Sequence, residues 1–210
     1  LMVKLTKRLQ AIADMVQKGS LPVDVGTDHG YIPVFLVENQ ICQRAVACDI
    51  NEAPLNSCRF LVFQSGLDDK IKCVLSNGLQ EVSEDFDTVI IAGMGGELIA
   101  DILSRADDIQ SKNIILNPMT HPEIARKWLY DNGFEIAKDI IVADGKHHYS
   151  ILSAEFSGNI AEKSQIDYYL GAITDFSDKE YFEHLLVYLK NKQKSGLCLD
   201  DLIKAIEEKI

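Results

Sequence analysis

An acid sits inside an apolar run that then turns on two glycines: Val23-Asp24-Val25-Gly26-Thr27-Asp28-His29-Gly30-Tyr31-Ile32-Pro33. Glycines let backbone approach a ligand where a Cβ would collide. A second apolar run, Ala45 to Asp49, ends in another acid. A carboxylate at that strand tip can accept hydrogen bonds from both hydroxyls of a ribose. The pairing predicts a site for a nucleoside-containing cofactor.

The loop reads Asp24-x-Gly26-x-x-x-Gly30. A dinucleotide fingerprint reads GxGxxG and seats a pyrophosphate on a helix N-terminus. Asp28 stands where that fingerprint has its second glycine, and an added carboxylate repels phosphates. The same loop suits S-adenosylmethionine, which has no phosphate and carries a sulfonium and an ammonium that Asp24 and Asp28 would favour. The plainer alternative is a tight strand-to-helix turn with a capping acid. Asp49 at the expected distance speaks against it. After a third strand, Leu75-Ser76-Asn77-Gly78 offers Asn77 as a hydrogen-bonding partner for an adenine, or merely makes an Asn-Gly turn.

Two further segments reach the same sheet edge, where ligands bind in parallel α/β folds. Ile91-Ala92-Gly93-Met94-Gly95-Gly96 would let a flat group come close to backbone, or would serve close helix packing. Leu116-Asn117-Pro118-Met119-Thr120-His121-Pro122 presents an amide beside a rigid step, and Asn117 is the candidate substrate contact. Its plainer role is a helix-start loop with Pro122 in the first turn. His29 in the glycine loop and His121 at the reactive edge are the candidate proton-handling groups. His147 and His148 are expected to be exposed in a turn. The five cysteines include no CxxC pair, so free thiols are expected and no metal site is.

The elements that must position these groups follow from periodicity. Leu5 to Lys18 shows helical spacing, and a strand begins at Leu21. Helices are expected over Ile32 to Asn39, Ala53 to Ser65, Gly95 to Arg105 and Pro122 to Asn132. Strands are expected over Ala45 to Asp49, Ile71 to Leu75, Phe86 to Ala92 and Asn113 to Leu116. Phe134 to Ala143 and Tyr149 to Phe156 read as a hairpin on Asp144-Gly145. The result is an α/β fold with a parallel, Rossmann-like sheet and a terminal antiparallel hairpin. Beyond Phe156 only helical spacing remains. Tyr181, Leu185, Tyr188 and Leu189, then Leu199, Leu202, Ile203 and Ile206, predict a C-terminal helical hairpin or short coiled coil. The domains are 2–157 and 158–210.

In a chain of 210 residues, 47% are hydrophobic and the net charge is −11. No apolar run approaches the roughly 20 residues that span a bilayer. Neither a leader nor a membrane anchor is expected, and the expected location is the cytoplasm. The acidic balance opposes nucleic-acid binding except through a local basic patch.

Together the blocks Leu5-Thr6-Lys7-Arg8-Leu9, Val23 to Tyr31, Ile91 to Gly96 and Asn117-Pro118-Met119 resemble the bacterial tRNA adenine-N1 methyltransferase family called TrmK. The resemblance runs from about Leu5 to Phe156. It implies a class I S-adenosylmethionine-dependent methyltransferase with a C-terminal coiled coil, acting on the adenine at tRNA position 22. It puts Asp24, Gly26, Asp28, Gly30, Asp49 and Asn77 at S-adenosylmethionine, with His29, Ile50 and Gly78 beside them. Gly93 and Met94 lie between cofactor and target base, and Asp28, Tyr31 and Asn117 are the catalytic set. No general base is needed, because neutral adenine N1 carries a lone pair. The expected roles are alignment, stacking on Tyr31, and acceptance of the adenine amine by Asn117 or Asp28. Phosphate contacts are expected from Lys4, Lys7, Arg8, Arg126, Lys127 and the tail lysines 190, 192 and 194. A monomer is favoured. The competing readings are a small-molecule methyltransferase with the same cofactor site and a non-catalytic cofactor- and RNA-binding module.

Overall fold

The computed structural model describes residues 3–160 and 162–210; Met2, the expected start of the first domain, lies outside them. Seven strands form one sheet in the order β3-β2-β1-β4-β5-β7-β6. They are β1 (Pro22–Val25), β2 (Ala45–Asp49), β3 (Ile71–Leu75), β4 (Thr88–Gly95), β5 (Asn113–Thr120), β6 (Phe134–Asp144) and β7 (His147–Phe156). The first five are mutually parallel. β7 runs against both β5 and β6, so the hairpin inserts its second strand beside β5 and leaves β6 at the edge.

Buried residues of the central strands explain why both faces must be covered. Val89 and Ile91 of β4 face α4 (Gly96–Ser104) and α5 (Pro122–Asp131), joining Ile99, Leu103 and Leu129 in one core. Ile90, Ile115 and Ile151 face the other way, onto α1 (Lys7–Ala13) and α2 (Tyr31–Glu38). Further along that face Ala47 and Ile71 meet α3 (Glu52–Gln64) through Cys58 and Val62. Strands buried on both sides are near-continuous apolar runs, as these are.

The chain after Phe156 folds into α6 (Gln165–Leu170), α7 (Lys179–Gln193) and α8 (Asp200–Glu207) around Phe182, Leu186, Leu189, Leu202 and Ile206. Gln193 bonds Asp200 and Lys190 pairs with Glu207, so α8 runs back along α7. α6 has no counterpart in the sequence reading. It is six residues long and starts on a capping box, Ser164 with Asp167. The N-terminal helix is shorter than its periodicity suggested, ending at Ala13.

One buried ion pair ties these helices to the sheet. Arg126 of α5 is fully buried and makes a bidentate pair with Asp139 at 2.8 and 3.1 Å. Its remaining donors reach the Ser150 hydroxyl and the Tyr169 carbonyl of α6, both at 2.9 Å. A bulge aims Asp139. Phe134 and Ile136 point inward, so strict alternation would turn Lys138 inward next; the register slips between Ile136 and Lys138 and turns Asp139 in instead. Gly171, at φ +54°, lets the chain pass where a Cβ would stand 2.6 Å from Arg126 Nε.

Arg126→Ala should destabilise the protein by about 3–5 kcal/mol, because it strands a buried carboxylate. Urea denaturation measures this, and a loss below about 1 kcal/mol would mean that water reaches Asp139.

Candidate active site

The C-terminal ends of β1, β2, β4 and β5 surround a cavity of about 610 Å³. Asp24, Gly26, Asp28, His29, Asp49, Tyr31 and Gly93 border it, as do Arg8, Thr27 and Met119. Two slips in the β4–β5 ladder shape its rim. Ala92 opposes Asn117, Met94 opposes Pro118, and Gly95 opposes Thr120. Gly93 is therefore the extra residue on β4 and Met119 the extra residue on β5, and both turn to the cavity. Gly93 has φ +86° and nothing within 4 Å of where a Cβ would stand, so a flat group can lie against it.

Several donors of the glycine loop are spent within the protein. The Gly26 and Thr27 N–H groups both donate to the Cys48 carbonyl, at 2.8 and 3.0 Å, and Gly30 N–H donates to the Thr27 carbonyl. Pro33 in the first turn of α2 has no N–H. Three of the loop's glycine-flanking donors and the N–H that proline removes are thus withheld from an anion. The loop's acids point to the opposite charge. Asp24 is buried, accepts the Thr27 hydroxyl at 2.7 Å, and is pushed up to about 6, first by burial and also by the nearby Asp49. Asp49 accepts the Asn51 N–H through one oxygen at 2.8 Å, leaving the other for a ligand. Asp28 is exposed, at φ +51°, with His29 Nε2 at 3.6 Å. Acids, open glycine and room for a nucleoside fit S-adenosylmethionine and oppose a dinucleotide.

The remaining expected residues stand behind or beside this wall. Gly30 caps α2 at φ +75°, where a Cβ would stand 2.5 Å from Cys58 Sγ, so it serves the approach of α2 to α3. Met94 lies over Gly26, leaving no space there for a side chain. Ile50 is exposed beyond Asp49. Asn77 and Gly78 follow β3 in a loop organised by Glu81, which accepts from the Asn77 N–H and the Ser76 hydroxyl. Asn117 is completely buried, and its amide is spent: it accepts from Arg8 at 2.8 Å and donates to the Ser150 carbonyl at 3.0 Å. It fixes Arg8 and does not itself reach the cavity. Arg8 also lies over the Tyr149 ring at 5.2 Å.

Other charged groups differ from expectation. Arg126 is sequestered from any phosphate, Lys127 pairs with Asp131, and Lys190 pairs with Glu207. Lys192 bonds the Tyr169 hydroxyl and lies over the Tyr188 ring. His148 is not exposed: it contacts Asp178 at 2.7 Å and Glu180 at 3.3 Å, and these carboxylates raise its pKa. His121 meets Glu123 and packs against Tyr188. The cysteines are free, and no cluster of metal-ligating side chains exists among the described residues. Nor is any helix there long and apolar enough to cross a membrane. Met119 and Thr6, on the cavity side, were not anticipated as site residues, although the block Leu5 to Leu9 and the Pro118-Met119 step carried the signal.

A seven-stranded sheet with an antiparallel seventh strand and this loop is the class I methyltransferase fold. A family described as a methyltransferase domain matches residues 5–152. The Bacillus subtilis tRNA (adenine(22)-N(1))-methyltransferase is 35% identical over 156 residues, which are 73% of this chain and 66% of that protein. The aligned segment thus spans just under two thirds of that relative. A Streptococcus pneumoniae protein proposed to be a tRNA (m1A22) methyltransferase, solved with S-adenosyl-L-methionine, is 33% identical. The match covers 98% of this chain and 99% of that one, with a TM-score of 0.83. TrmK of M. capricolum, solved with S-adenosyl-homocysteine, is 26% identical with a TM-score of 0.82, over 97% of this chain and 96% of that one. The chain belongs to the methyltransferase-domain family and, within it, to the TrmK family.

Burial of Asp24 gives a signed pH dependence. A native pKa of about 6 against an ordinary 3.8 means that the folded state holds this proton longer than the unfolded chain. Stability without ligand therefore falls as pH rises through that interval, by roughly 2–3 kcal/mol. Asp24→Asn should be the more stable protein at pH 7.5, with the gap closing below pH 4. Urea titrations at both pH values check this; equal stability at pH 7.5 would show that Asp24 is solvated.

Proposed function

We propose that this chain transfers a methyl group from S-adenosylmethionine to N1 of an adenine in tRNA, with position 22 as the target. The observation that carries the proposal is the double slip in the β4–β5 ladder. It opens a cavity bounded on one side by the loop acids and on the other by Tyr31 and Arg8. S-adenosylmethionine supplies an electrophilic methyl on sulfur when bound. The residues proposed to hold it are Asp24, Gly26, Asp28, His29, Gly30, Asp49, Ile50, Asn77, Gly78, Gly93 and Met94. Asp49 would take the ribose hydroxyls through its free oxygen. Asp24 and Asp28 would face its cationic groups.

Adenine N1 attacks with its own lone pair, so the chain has no proton to remove first. The work left to the protein is alignment and exclusion of water. Tyr31, exposed on the rim beside His29, would stack on the extruded base. Asp28 can accept from the adenine amine as positive charge develops on the product. Asn117 acts through Arg8, whose guanidinium it orients. A monomeric state and a cytoplasmic location belong to this proposal. The division into a catalytic unit, 2–157, and a helical unit, 158–210, belongs to the same proposal. It is supported by the separate apolar core of the last three helices.

The decisive assay mixes purified protein, labelled S-adenosylmethionine and tRNA lacking the modification, then analyses the nucleosides. N1-methyladenosine mapped to position 22 is expected. Cofactor binding with no labelled tRNA would redirect the proposal to a small-molecule acceptor. Asp49→Ala should weaken cofactor affinity by about 1.5–3 kcal/mol, read by calorimetry; unchanged affinity would remove Asp49 from the ribose. Tyr31→Ala should slow single-turnover methyl transfer about tenfold or more with cofactor affinity retained.

A further inference from the structure

A second cavity of about 610 Å³ lies beside the first, between the end of β5, the β6–β7 turn and α7. Four of the chain's five histidines line it: His121, His147, His148 and His184. Tyr149, Tyr181 and Tyr188 supply rings, and Lys146 supplies a cation at its mouth. Met119 borders both cavities. The partition between them is the stack of Arg8, which lines the first, on Tyr149, which lines the second.

We propose that this groove is a second nucleotide subsite, holding one unpaired base of the same RNA next to the adenine being methylated. The proposal rests on the reading of the first cavity as a tRNA site and extends it to a flanking nucleotide. Three features favour that occupant. The wall is ring-rich, and rings accept any base by stacking. The volume lies in the range of small-ligand sites. Glu123 is the one acid among the groove's lining residues, and it is engaged by Lys192 at 3.6 Å and His121 at 3.2 Å. A base entering here meets little uncompensated negative charge, although the chain as a whole is acidic. An extruded adenine must have neighbours on both sides of its backbone, and a groove adjoining the first across the Arg8–Tyr149 stack receives one of them.

His147 and His184 are both exposed, so replacing them leaves the fold intact. The test measures binding of tRNA transcripts, with S-adenosyl-homocysteine present, to the full-length protein and to the His147→Ala/His184→Ala variant. One series of transcripts carries a single abasic nucleotide at each position within two of the target adenine. The variant should bind intact tRNA about tenfold more weakly, with unchanged affinity for S-adenosyl-homocysteine. One abasic position should cost the wild type about tenfold and the variant less than twofold. Binding of the variant within twofold of wild type overturns the subsite, as do equal abasic penalties in the two proteins. The readout is binding, so it separates the two proposals. Groove-dependent tRNA binding without methyl transfer keeps the subsite and removes the reaction, whereas absence of tRNA binding removes both.

Discussion

Arg126 and Asp139 sit where neither can reach water. Stripping solvent from two charges costs several kcal/mol per ion, and their attraction offsets that only when the remaining donors are satisfied. Here they are: the guanidinium reaches Asp139, the Ser150 hydroxyl and the Tyr169 carbonyl. The pair therefore tolerates one arrangement of α5, β6, β7 and α6, and that arrangement includes the reactive edge. The backbone of Ser150 accepts from Asn117, and Asn117 accepts from Arg8. A continuous run of hydrogen bonds thus leads from the end of α6 to the wall of the first cavity. The helices after Phe156 are fixed against the sheet by this polar contact as well as by apolar area.

The first cavity follows a different logic, that of a field prepared for a cation. The Gly26, Thr27 and Gly30 N–H groups, which could otherwise stabilise an anion, are turned onto Cys48 and Thr27. Two carboxylates are held close together, and the more buried one, Asp24, meets neutral pH at an electrostatic disadvantage that shows in its raised pKa. A positively charged ligand relieves that disadvantage, so part of the selectivity for a sulfonium- and ammonium-bearing cofactor is built into the loop itself. Burial of Cys48 beneath the same loop raises its thiol pKa and keeps it neutral.

Apolar runs bounded by glycine or polar residues made the strands legible, and β2 and β3 begin and end where periodicity puts them. β4 and β5 extend past their apolar stretches because Gly93, Met94, Pro118 and Met119 pair irregularly, and irregular pairing has no hydrophobic signature. That extension is the part that forms the site. The glycine loop and Asp49 were readable because their spacing is short-range. Burial of Asn117 and Arg126 was not, since each is decided by partners between 13 and 109 positions away. A side chain capable of touching substrate and one committed to a structural network look alike in a sequence. Gly30 shows the same limit, being demanded by Cys58 as much as by any ligand.

The acidity of the chain is compatible with an RNA substrate once charges are placed. Arg59, Lys72, Arg105, Lys112, Lys127 and Lys190 all pair with carboxylates of the chain itself, so these cations are committed and the net charge of −11 stays on the surface away from any basic patch. The start of α1 adjoins the β6–β7 turn, where Asp144 accepts the Arg8 N–H at 3.2 Å. Arg8 thereby lines the first cavity and Lys146 the second, with Lys7 close to Asp144 between the two segments. A patch of this size neutralises only a few phosphates, so little of the affinity can come from counterion release. On the proposed function, most of it then comes from bases held in shaped cavities. This division of labour suits the proposed reaction, in which one adenine is extracted from a folded RNA.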